Sequence, residues 1–296
     1  MLNKIAVDRI ARKILFGLSV FSALIVFLIL YGLVYKSVPM LQSHSIVELL
    51  IGSKWKPFKG EFGFYPFILS TFLVTIFSVI IAVPICILTA IYLSEYASNR
   101  IRSIVIPFID ILAGIPSVIF GIWGVVVIVP FIRDELAPAF GAQSTGYCIL
   151  AGGLVLSIMV FPVIINILYE VLKTVPDDLR DASLSLGANK WETIKKVVLK
   201  KARPGLIAAV VLGFSRSLGE TIAVLMVVGN VPKIPQSVFD PGYPLPALIA
   251  NNYGEMMSIP LYDSALMFAA LLLFVVIAVF NILSRTILNR IEKQMA

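Results

Sequence analysis

Two charged side chains, Arg216 and Glu220, lie four residues apart in a mostly apolar stretch, GFSRSLGETIAV from Gly213 to Val224. On an α-helix, residues at this spacing share one face one turn apart, so the two charges are predicted to pair. A lone charge in the middle of a bilayer is costly, and such residues nearly always face protein or a water-filled cavity. The pair is therefore the first candidate for a functional site.

Two interpretations of the pair are open from these residues. In the first, Arg216 and Glu220 form a buried ion pair that joins their helix to its neighbours. In the second, Arg216 faces an anionic substrate, while Glu220 holds it in place and offsets its charge when the path is empty. The second is favoured, because a guanidinium is always charged and binds tetrahedral oxyanions through two parallel hydrogen bonds. Apolar residues would meet a purely structural role at lower cost.

A second polar site is predicted in the segment 107–124, PFIDILAGIPSVIFGIWG. Pro116 removes a helical hydrogen bond and Gly114 loosens the turn before it, which frees backbone N–H groups near Ser117. Counted from the start of the apolar run, Pro116 would lie about 18 Å along the helix, close to mid-membrane. A half-helix that begins there is a ready anion site; the alternative is an ordinary proline kink. Asp110 is interpreted as a capping or interfacial acid.

The composition indicates which solvent surrounds these residues. Of 296 residues, 59% are hydrophobic and 14% are charged, and the mean hydropathy is +0.98. A soluble domain carries about 25% charged residues, so the chain is predicted to be an integral membrane protein. The runs long enough to span a bilayer are Ile14–Tyr35, Phe67–Leu93, Ile104–Ile132, Cys148–Tyr169, Leu206–Val228 and Ala265–Ile287. The first run is too long for a signal peptide and no cleavage motif follows it, so we expect it to be retained.

The basic residues predict the orientation of these helices. With the N-terminus inside, most of the 24 Lys and Arg residues fall on the inner side, with the largest group between Lys173 and Arg203. Because cytoplasmic loops are enriched in Lys and Arg, both termini are predicted to be cytoplasmic. This topology explains the net charge of +7 without nucleic acid as a partner. Two outer segments, Lys36–Pro66 and Asn230–Asp263, are long, aromatic and rich in Pro and Gly, and could form a docking surface.

The longest cytoplasmic connection, residues 170–205, has the pattern of a helix, a turn and a second helix. Pro176 followed by two aspartates is a helix-start signal, and apolar residues then recur at helical spacing. Gly187 supplies the turn, and the second helix is predicted from Lys190 to Lys200. On this pattern alone, the loop is either a solvated basic connection or a short helix presented to a cytoplasmic partner.

The same loop resembles the EAA loop of bacterial ABC importer permeases, whose pattern is Glu-Ala-Ala, three residues, Gly, nine residues, then Ile-x-Leu-Pro. The matching residues here are Asp181, Ala182, Ser183, Gly187, Val197 and Leu199. Asp181 replaces Glu, and Lys200 stands where Pro is usual, so Pro204 is expected to break the helix instead. The resemblance implies that the first four of these residues form a coupling helix in a groove of an ATPase subunit.

The ATPase itself is predicted to be a separate chain, because no G-x-x-x-x-G-K-[ST] phosphate loop occurs in this sequence. No cofactor is expected in this chain; ATP and Mg²⁺ would be used by the partner ATPase. The competing enzyme class is an intramembrane hydrolase, because GFSRS begins like a nucleophile elbow. It lacks the closing glycine, and the only histidine, His44, lies in an outer segment.

Three stretches narrow the resemblance: DILAGIPSVIFGIWG, SRSLGETIAVLMVVGN, and the outer loop from Trp55-Lys56-Pro57 through Gly63 to Pro66. From about Trp55 onward they resemble the PstC-type permeases of phosphate-specific ABC importers, a family in which the equivalent Arg and Glu are implicated in phosphate passage. The expected substrate pathway therefore consists of Arg216, Glu220, Thr221 and Ser117. Molybdate and sulfate permeases and the PstA-type subunit remain alternatives, as does a secondary anion transporter outside the class.

The expected protein is all-α: a polytopic membrane protein with six transmembrane helices of the ABC importer (type I) permease type. Residues 1–63 would form an N-terminal helix with an outer loop, and residues 64–296 the permease domain with its coupling loop at 170–205. The resemblance implies a second homologous permease, two ATPase subunits, an extracytoplasmic phosphate-binding protein and membrane lipid as partners. It places the chain in the prokaryotic plasma (inner) membrane, as a subunit that imports inorganic phosphate.

Overall fold

The computed structural model describes the backbone of residues 2–255 and 259–295 and the side chains of residues 7–255 and 259–286. The described chain is almost entirely helical, as expected where lipid offers no partners for backbone N–H and C=O groups. The α-helices are α1 Leu2–Ser43, α2 Ile46–Ile51, α3 Tyr65–Ile91, α4 Asn99–Gly114, α5 Ser117–Trp123, α6 Val129–Phe131, α7 Ala137–Ala139, α8 Ile149–Lys173, α9 Asp177–Ser185, α10 Lys190–Thr193, α11 Leu199–Leu218, α12 Ile222–Val227, α13 Leu245–Asn252 and α14 Tyr262–Met295. A small antiparallel hairpin pairs β1 Trp55–Lys56 with β2 Glu61–Phe62.

Several of these helices are extended by π-helical turns, in which the backbone widens by one residue. The turns are Tyr92–Tyr96, Gly124–Ile128, Ile132–Leu136 and Ile194–Val198. Two of them join α5, α6 and α7 into one continuous helix, Ser117–Ala139. The first prolongs α3, and the last joins α10 to α11.

Five helices in the described part of the chain are long and apolar enough to cross a membrane: Val7–Ser43, Tyr65–Tyr96, Ser117–Ala139, Ile149–Lys173 and Tyr262–Thr286. They lie over the first, second, fourth and sixth predicted spans and over the later part of the third. The fifth predicted span is not one helix, because three non-helical residues, 219–221, separate α11 from α12. Gly219 is the C-cap of α11, with a φ of −93°, so it does not adopt the left-handed conformation in which glycine often ends a helix.

The helix α8 lies at the centre of the bundle and packs against α3, α4, α11 and α12. Glycines allow two of these neighbours to approach closely. A Cβ at Gly153 of α8 would lie 2.9 Å from Phe77 of α3, and a Cβ at Gly213 of α11 would lie 2.5 Å from Ile164 of α8. Close contact of this kind is how membrane helices associate, since lipid tails are as apolar as the side chains.

The two segments predicted to lie outside pack together into one aromatic unit. The Trp55 ring contacts Phe64 and Phe67 edge to face, at centroid distances of 5.3 and 5.1 Å. Tyr243, from the second segment, lies 5.3 Å from Phe67. Phe64, Phe67 and Tyr243 are buried, so the segments form a single packed unit, and its role in docking a partner stays a prediction.

Candidate substrate pathway and coupling loop

The structure does not bring Arg216 and Glu220 together as a pair. The helix α11 ends at Leu218, and Glu220 follows in the non-helical link before α12. Neither side chain belongs to an ion pair in the described part of the chain. The predicted pairing is therefore wrong: the N–H of Gly219 closes the last turn of α11 on the carbonyls of residues 216 and 217, which takes Glu220 off the helical face.

The two charges have different surroundings. Glu220 is half-buried and lines a small cleft with Thr71 and Thr75 of α3. Arg216 is exposed on the surface of this chain, although Gly213, one turn earlier, contacts the middle of the central helix α8. Because an exposed charge at this depth is too costly in lipid, the Arg216 surface must be covered by another subunit or face a water-filled path.

Two contacts orient α11 and so determine the side on which Arg216 lies. Gly213 packs so closely on Ile164 that any side chain at position 213 would displace Ile164. Ser215 Oγ donates a hydrogen bond to Asn281 Oδ1 of α14 at 3.0 Å.

The structure also bears on the intramembrane hydrolase alternative. Ser215, the central residue of the GFSRS stretch, has the Asn281 amide as its partner, whereas His44 Nε2 bonds the Gly60 carbonyl at 2.9 Å. These separate partners remove the serine–histidine arrangement that an intramembrane hydrolase would need.

The helix break predicted at Pro116 is confirmed. The helix α4 ends at Gly114, Ile115 and Pro116 are extended with ψ of 127° and 142°, and α5 begins at Ser117. An ordinary kink would have kept one bent helix, so that alternative is excluded. Ser117 is half-buried, and anion binding by the N–H groups around it stays a prediction.

The two interrupted helices meet just beyond their interruptions. The helices α5 and α12 pack together, with Gly121 of α5 against Ala223 and Met226 of α12. Ser117 and Thr221, the predicted pathway residues at the two breaks, each lie within about one turn of this contact. The breaks, although about a hundred residues apart in sequence, are therefore neighbours in the fold.

Asp110 is not a cap of α4, contrary to one interpretation from sequence. The helix α4 begins at Asn99, earlier than the predicted span, and Ser98 is its N-cap. Asp110 consequently lies about three turns into α4. Its Oδ1 accepts a hydrogen bond of 2.8 Å from Asn166 Nδ2 of α8.

The coupling loop contains the two predicted helices. The helix α9 begins directly after Pro176, as predicted, and none of its residues is buried. The large apolar side chains exposed on α9 and at the residue after it are Leu179, Leu184 and Leu186. Leu186 is 89% exposed, which is unusual for a leucine that touches neither lipid nor a partner.

The four predicted coupling residues lie along α9 and the turn that follows it. Asp181 and Ala182 are exposed. Ser183 Oγ and Thr193 Oγ1 share a hydrogen bond of 2.9 Å, which ties α9 to α10. Gly187 has a φ of +87°, so the positive φ expected at this turn is confirmed. A Cβ at Gly187 would meet nothing within 4 Å.

The helix after the turn does not end at Pro204, contrary to expectation. It starts with a capping box in which Asn189 and Glu192 exchange hydrogen bonds, a motif visible in the sequence as N-x-x-E. It passes through the π-helical turn and continues as α11 through Lys200, with Pro204 inside. A neighbouring π-helical turn is one of the ways in which a membrane helix accommodates a proline.

An ion pair that was not predicted joins α9 to the end of α3. Arg180 donates from Nη2 to Glu95 Oε1 at 2.8 Å and from Nε to Oε2 at 3.3 Å. The hydrogen bonds that Arg180 donates to the Glu95 carboxylate raise the pKa of Arg180 above its ordinary value. Because 85 residues separate the partners in the chain, no local motif could have revealed this pair.

The family follows from comparison with known proteins. A family model described as the binding-protein-dependent transport system inner membrane component matches residues 82–296. The chain belongs to this family. The permease is 39% identical over 248 residues to the probable ABC transporter permease protein YqgH of Bacillus subtilis (strain 168), covering 83% of this chain and 79% of the relative.

Two further relatives match almost end to end. The permease is 34% identical to the probable phosphate transport system permease protein PstC of Methanocaldococcus jannaschii, over 92% of this chain and 91% of the relative. It is 32% identical to the phosphate transport system permease protein PstC of Pasteurella multocida (strain Pm70), over 99% and 95%.

Solved structures confirm the fold class. The permease matches the MetNI methionine ABC transporter in an inward-facing conformation with a TM-score of 0.54 at 22% identity, over 75% of this chain and 91% of that one. An amino acid ABC transporter matches with a TM-score of 0.52 at 18% identity, over 77% and 93%. The permease thus has the fold of an ABC transporter membrane subunit.

Proposed function

We propose that this permease is one membrane subunit of an ATP-driven importer that moves inorganic phosphate across the prokaryotic plasma (inner) membrane. Relatives named as phosphate transport permeases align with up to 99% of the chain. The observation that carries the proposal is the state of Arg216. It is a permanent cation, exposed at the depth of the central helix, with no ionic partner among the described side chains.

An unpaired guanidinium is suited to a tetrahedral oxyanion, because its fixed N–H groups can bind two oxygens at once. Glu220 sits in the cleft beside α3 and does not neutralise Arg216, so the cation stays available to the anion. The hydroxyl groups of Thr221 and Ser117 lie at the two helix breaks, where further donors can line the same path. Phosphate would pass along the surface on which Arg216 lies.

A different surface of this chain is proposed to contact each of the other subunits. A second homologous permease would cover the Arg216 surface and enclose the path between the two chains. Two ATPase subunits would hydrolyse ATP, one of them binding the exposed leucines of α9. The extracytoplasmic binding protein would dock on the outer face of the two segments that pack around Trp55, next to the permease domain, 64–296. This arrangement places both termini in the cytoplasm and is consistent with alternating access.

The experiment is uptake of radiolabelled phosphate by the complete complex in proteoliposomes, with Arg216→Lys as the variant. Lysine keeps the charge but loses the planar fork, and a hydrogen bond to a charged group is worth about 1.5–3 kcal/mol. We expect uptake to fall by roughly 10- to 100-fold while assembly is unchanged. Arg203→Lys on the same helix is the matched control and is expected to transport normally.

Uptake of different labelled anions by the same vesicles identifies the substrate. Uptake of labelled phosphate, but not of labelled sulfate or molybdate, supports the proposal. Uptake of sulfate or molybdate in place of phosphate would refute the phosphate assignment. Normal phosphate uptake by Arg216→Lys would remove this residue from the path.

A further inference from the structure

The π-helical turn Tyr92–Tyr96, at the end of α3, is held by side chains from three other helices. From α4, Arg102 donates to two carbonyls of the turn, each at 2.7 Å. From α9, Arg180 binds the Glu95 carboxylate with two nitrogens. From α10, the Lys190 ammonium lies over the last tyrosine ring, 4.6 Å from its centroid. Two of these three helices belong to the coupling loop, so the turn is where that loop meets the membrane domain.

Arg180 also binds the end of the central helix. Its Nη2 donates to the Leu172 carbonyl at 3.1 Å, and its Nη1 donates to the Val175 carbonyl and to Asp177. One guanidinium therefore joins α3, α8 and α9. The side chains of Arg180 and Glu95 are only 17% and 7% exposed, so water screens the pair little. A lysine could not make this set of bonds, because a single ammonium has no planar fork.

The helix α3 leads from this junction to the cleft around Glu220. Its 27 residues span about 40 Å at 1.5 Å per residue. At the far end, Thr71 and Thr75 line the Glu220 cleft, and the Thr71 hydroxyl accepts the N–H of Leu245 at 2.9 Å. The same helix is thus bonded to the coupling loop at one end and lines the Glu220 cleft near the other.

We infer that the Arg180–Glu95 pair is the link through which movement of the coupling loop reaches α3 and, along it, the cleft at Glu220. The inference rests on the proposed function, since it needs an ATPase bound to α9. Arg180 and Glu95 are positioning residues that touch neither substrate nor nucleotide. With the pair intact, α3 moves with α9; without it, α9 moves while α3 stays behind.

A purely structural pair and a coupling link predict different results for Glu95→Gln, which keeps the side-chain shape but removes the charge. We measure ATP hydrolysed per phosphate imported, and the affinity of the ATPase subunit, in the complete reconstituted complex. The link predicts at least a five-fold rise in this ratio, with the affinity changed less than two-fold. The matched control is Glu192→Gln, which breaks the exposed Lys196–Glu192 pair (3.4 Å) of the same loop and should change neither quantity.

A second measurement covers variants that assemble poorly. Spin labels at Asp178 and Tyr92, both exposed, report the distance between α9 and the end of α3 with and without nucleotide. The link predicts a constant distance in the wild type and a nucleotide-dependent one in Glu95→Gln. An unchanged ratio in Glu95→Gln, or a loss of ATPase binding in step with transport, would overturn the inference. Failure of the wild type to import phosphate counts against the proposed function instead.

Discussion

Gly187 closes the turn after α9 with a φ of +87°, and its replacement by alanine tests whether this turn is part of the ATPase contact. An L-residue in the left-handed region costs roughly 1–2 kcal/mol. Because a Cβ at this position would meet nothing within 4 Å, no clash within the chain adds to that cost. One or two kcal/mol corresponds to a factor of about 5–30 in an equilibrium constant.

If the ATPase binds α9 only in the observed conformation, Gly187→Ala weakens ATPase binding by up to that factor. Gly187→Asn should weaken it less, because asparagine tolerates positive φ better than alanine. Gly187→Glu should weaken it most and uncouple transport, because it adds a charged side chain at the contact. All three variants should insert normally, since the loop lies outside the bilayer. The assays are binding of the purified ATPase to the permease in nanodiscs and phosphate uptake.

The matched control is Gly141→Ala, in the connection before α8. Its φ is +67° and its Cβ would also meet nothing within 4 Å, so the backbone cost is the same, at a site remote from α9. We expect it to leave ATPase binding unchanged. Wild-type ATPase affinity and transport in both Gly187→Ala and Gly187→Glu would refute the assignment of α9 as the coupling helix.

Three further outcomes are expected. Gly213→Ala forces a Cβ into the Ile164 side chain of α8 and should lower the unfolding free energy by about 1–3 kcal/mol, measured by thermal unfolding in detergent. The control is Gly17→Ala, whose Cβ faces open space and which should change the unfolding free energy little. Leu186→Ser should weaken ATPase binding without changing stability, and a normal binding isotherm would argue against the leucine contact. The effects of Arg216→Met and Glu220→Leu on the unfolding free energy should add to within about 0.5 kcal/mol in the double variant. A larger coupling energy between the two substitutions would show that the side chains interact as an ion pair.

The long helices follow from the apolar runs because a bilayer has a defined thickness, which acts as an external measure of helix length. The break at Pro116 was also predicted, from the missing proline N–H and the glycine two residues before it. A proline alone is not sufficient, since Pro204 lies inside α11 without ending it. The end of α11 at Gly219 was missed for a similar reason. Glycine is tolerated inside membrane helices, so the residue alone does not say whether the helix stops.

The candidate site shows the same division between local and non-local information. Arg216 and Gly187 are recognisable in the sequence because an arginine in an apolar run, or a glycine at a turn, is informative on its own. The missing Arg216–Glu220 pair and the Arg180–Glu95 pair depend on which helices pack together. Spacing of four residues predicts a contact only while the helix continues, and partners 85 residues apart have no spacing rule at all.

The distribution of broken and unbroken helices fits the proposed transport cycle. The predicted pathway residues Ser117 and Thr221 lie at helix breaks, where the chain can turn without disrupting a continuous ladder of hydrogen bonds. Arg180 of the coupling loop instead contacts the end of α3 and the end of α8, and each of these two helices runs without a break across the bundle. A continuous helix moves as one body, whereas a break lets its two halves move separately. On the proposed function, α3 and α8 therefore carry the movement that begins at α9, and the breaks beside Glu220 are where that movement opens or closes the path for the anion.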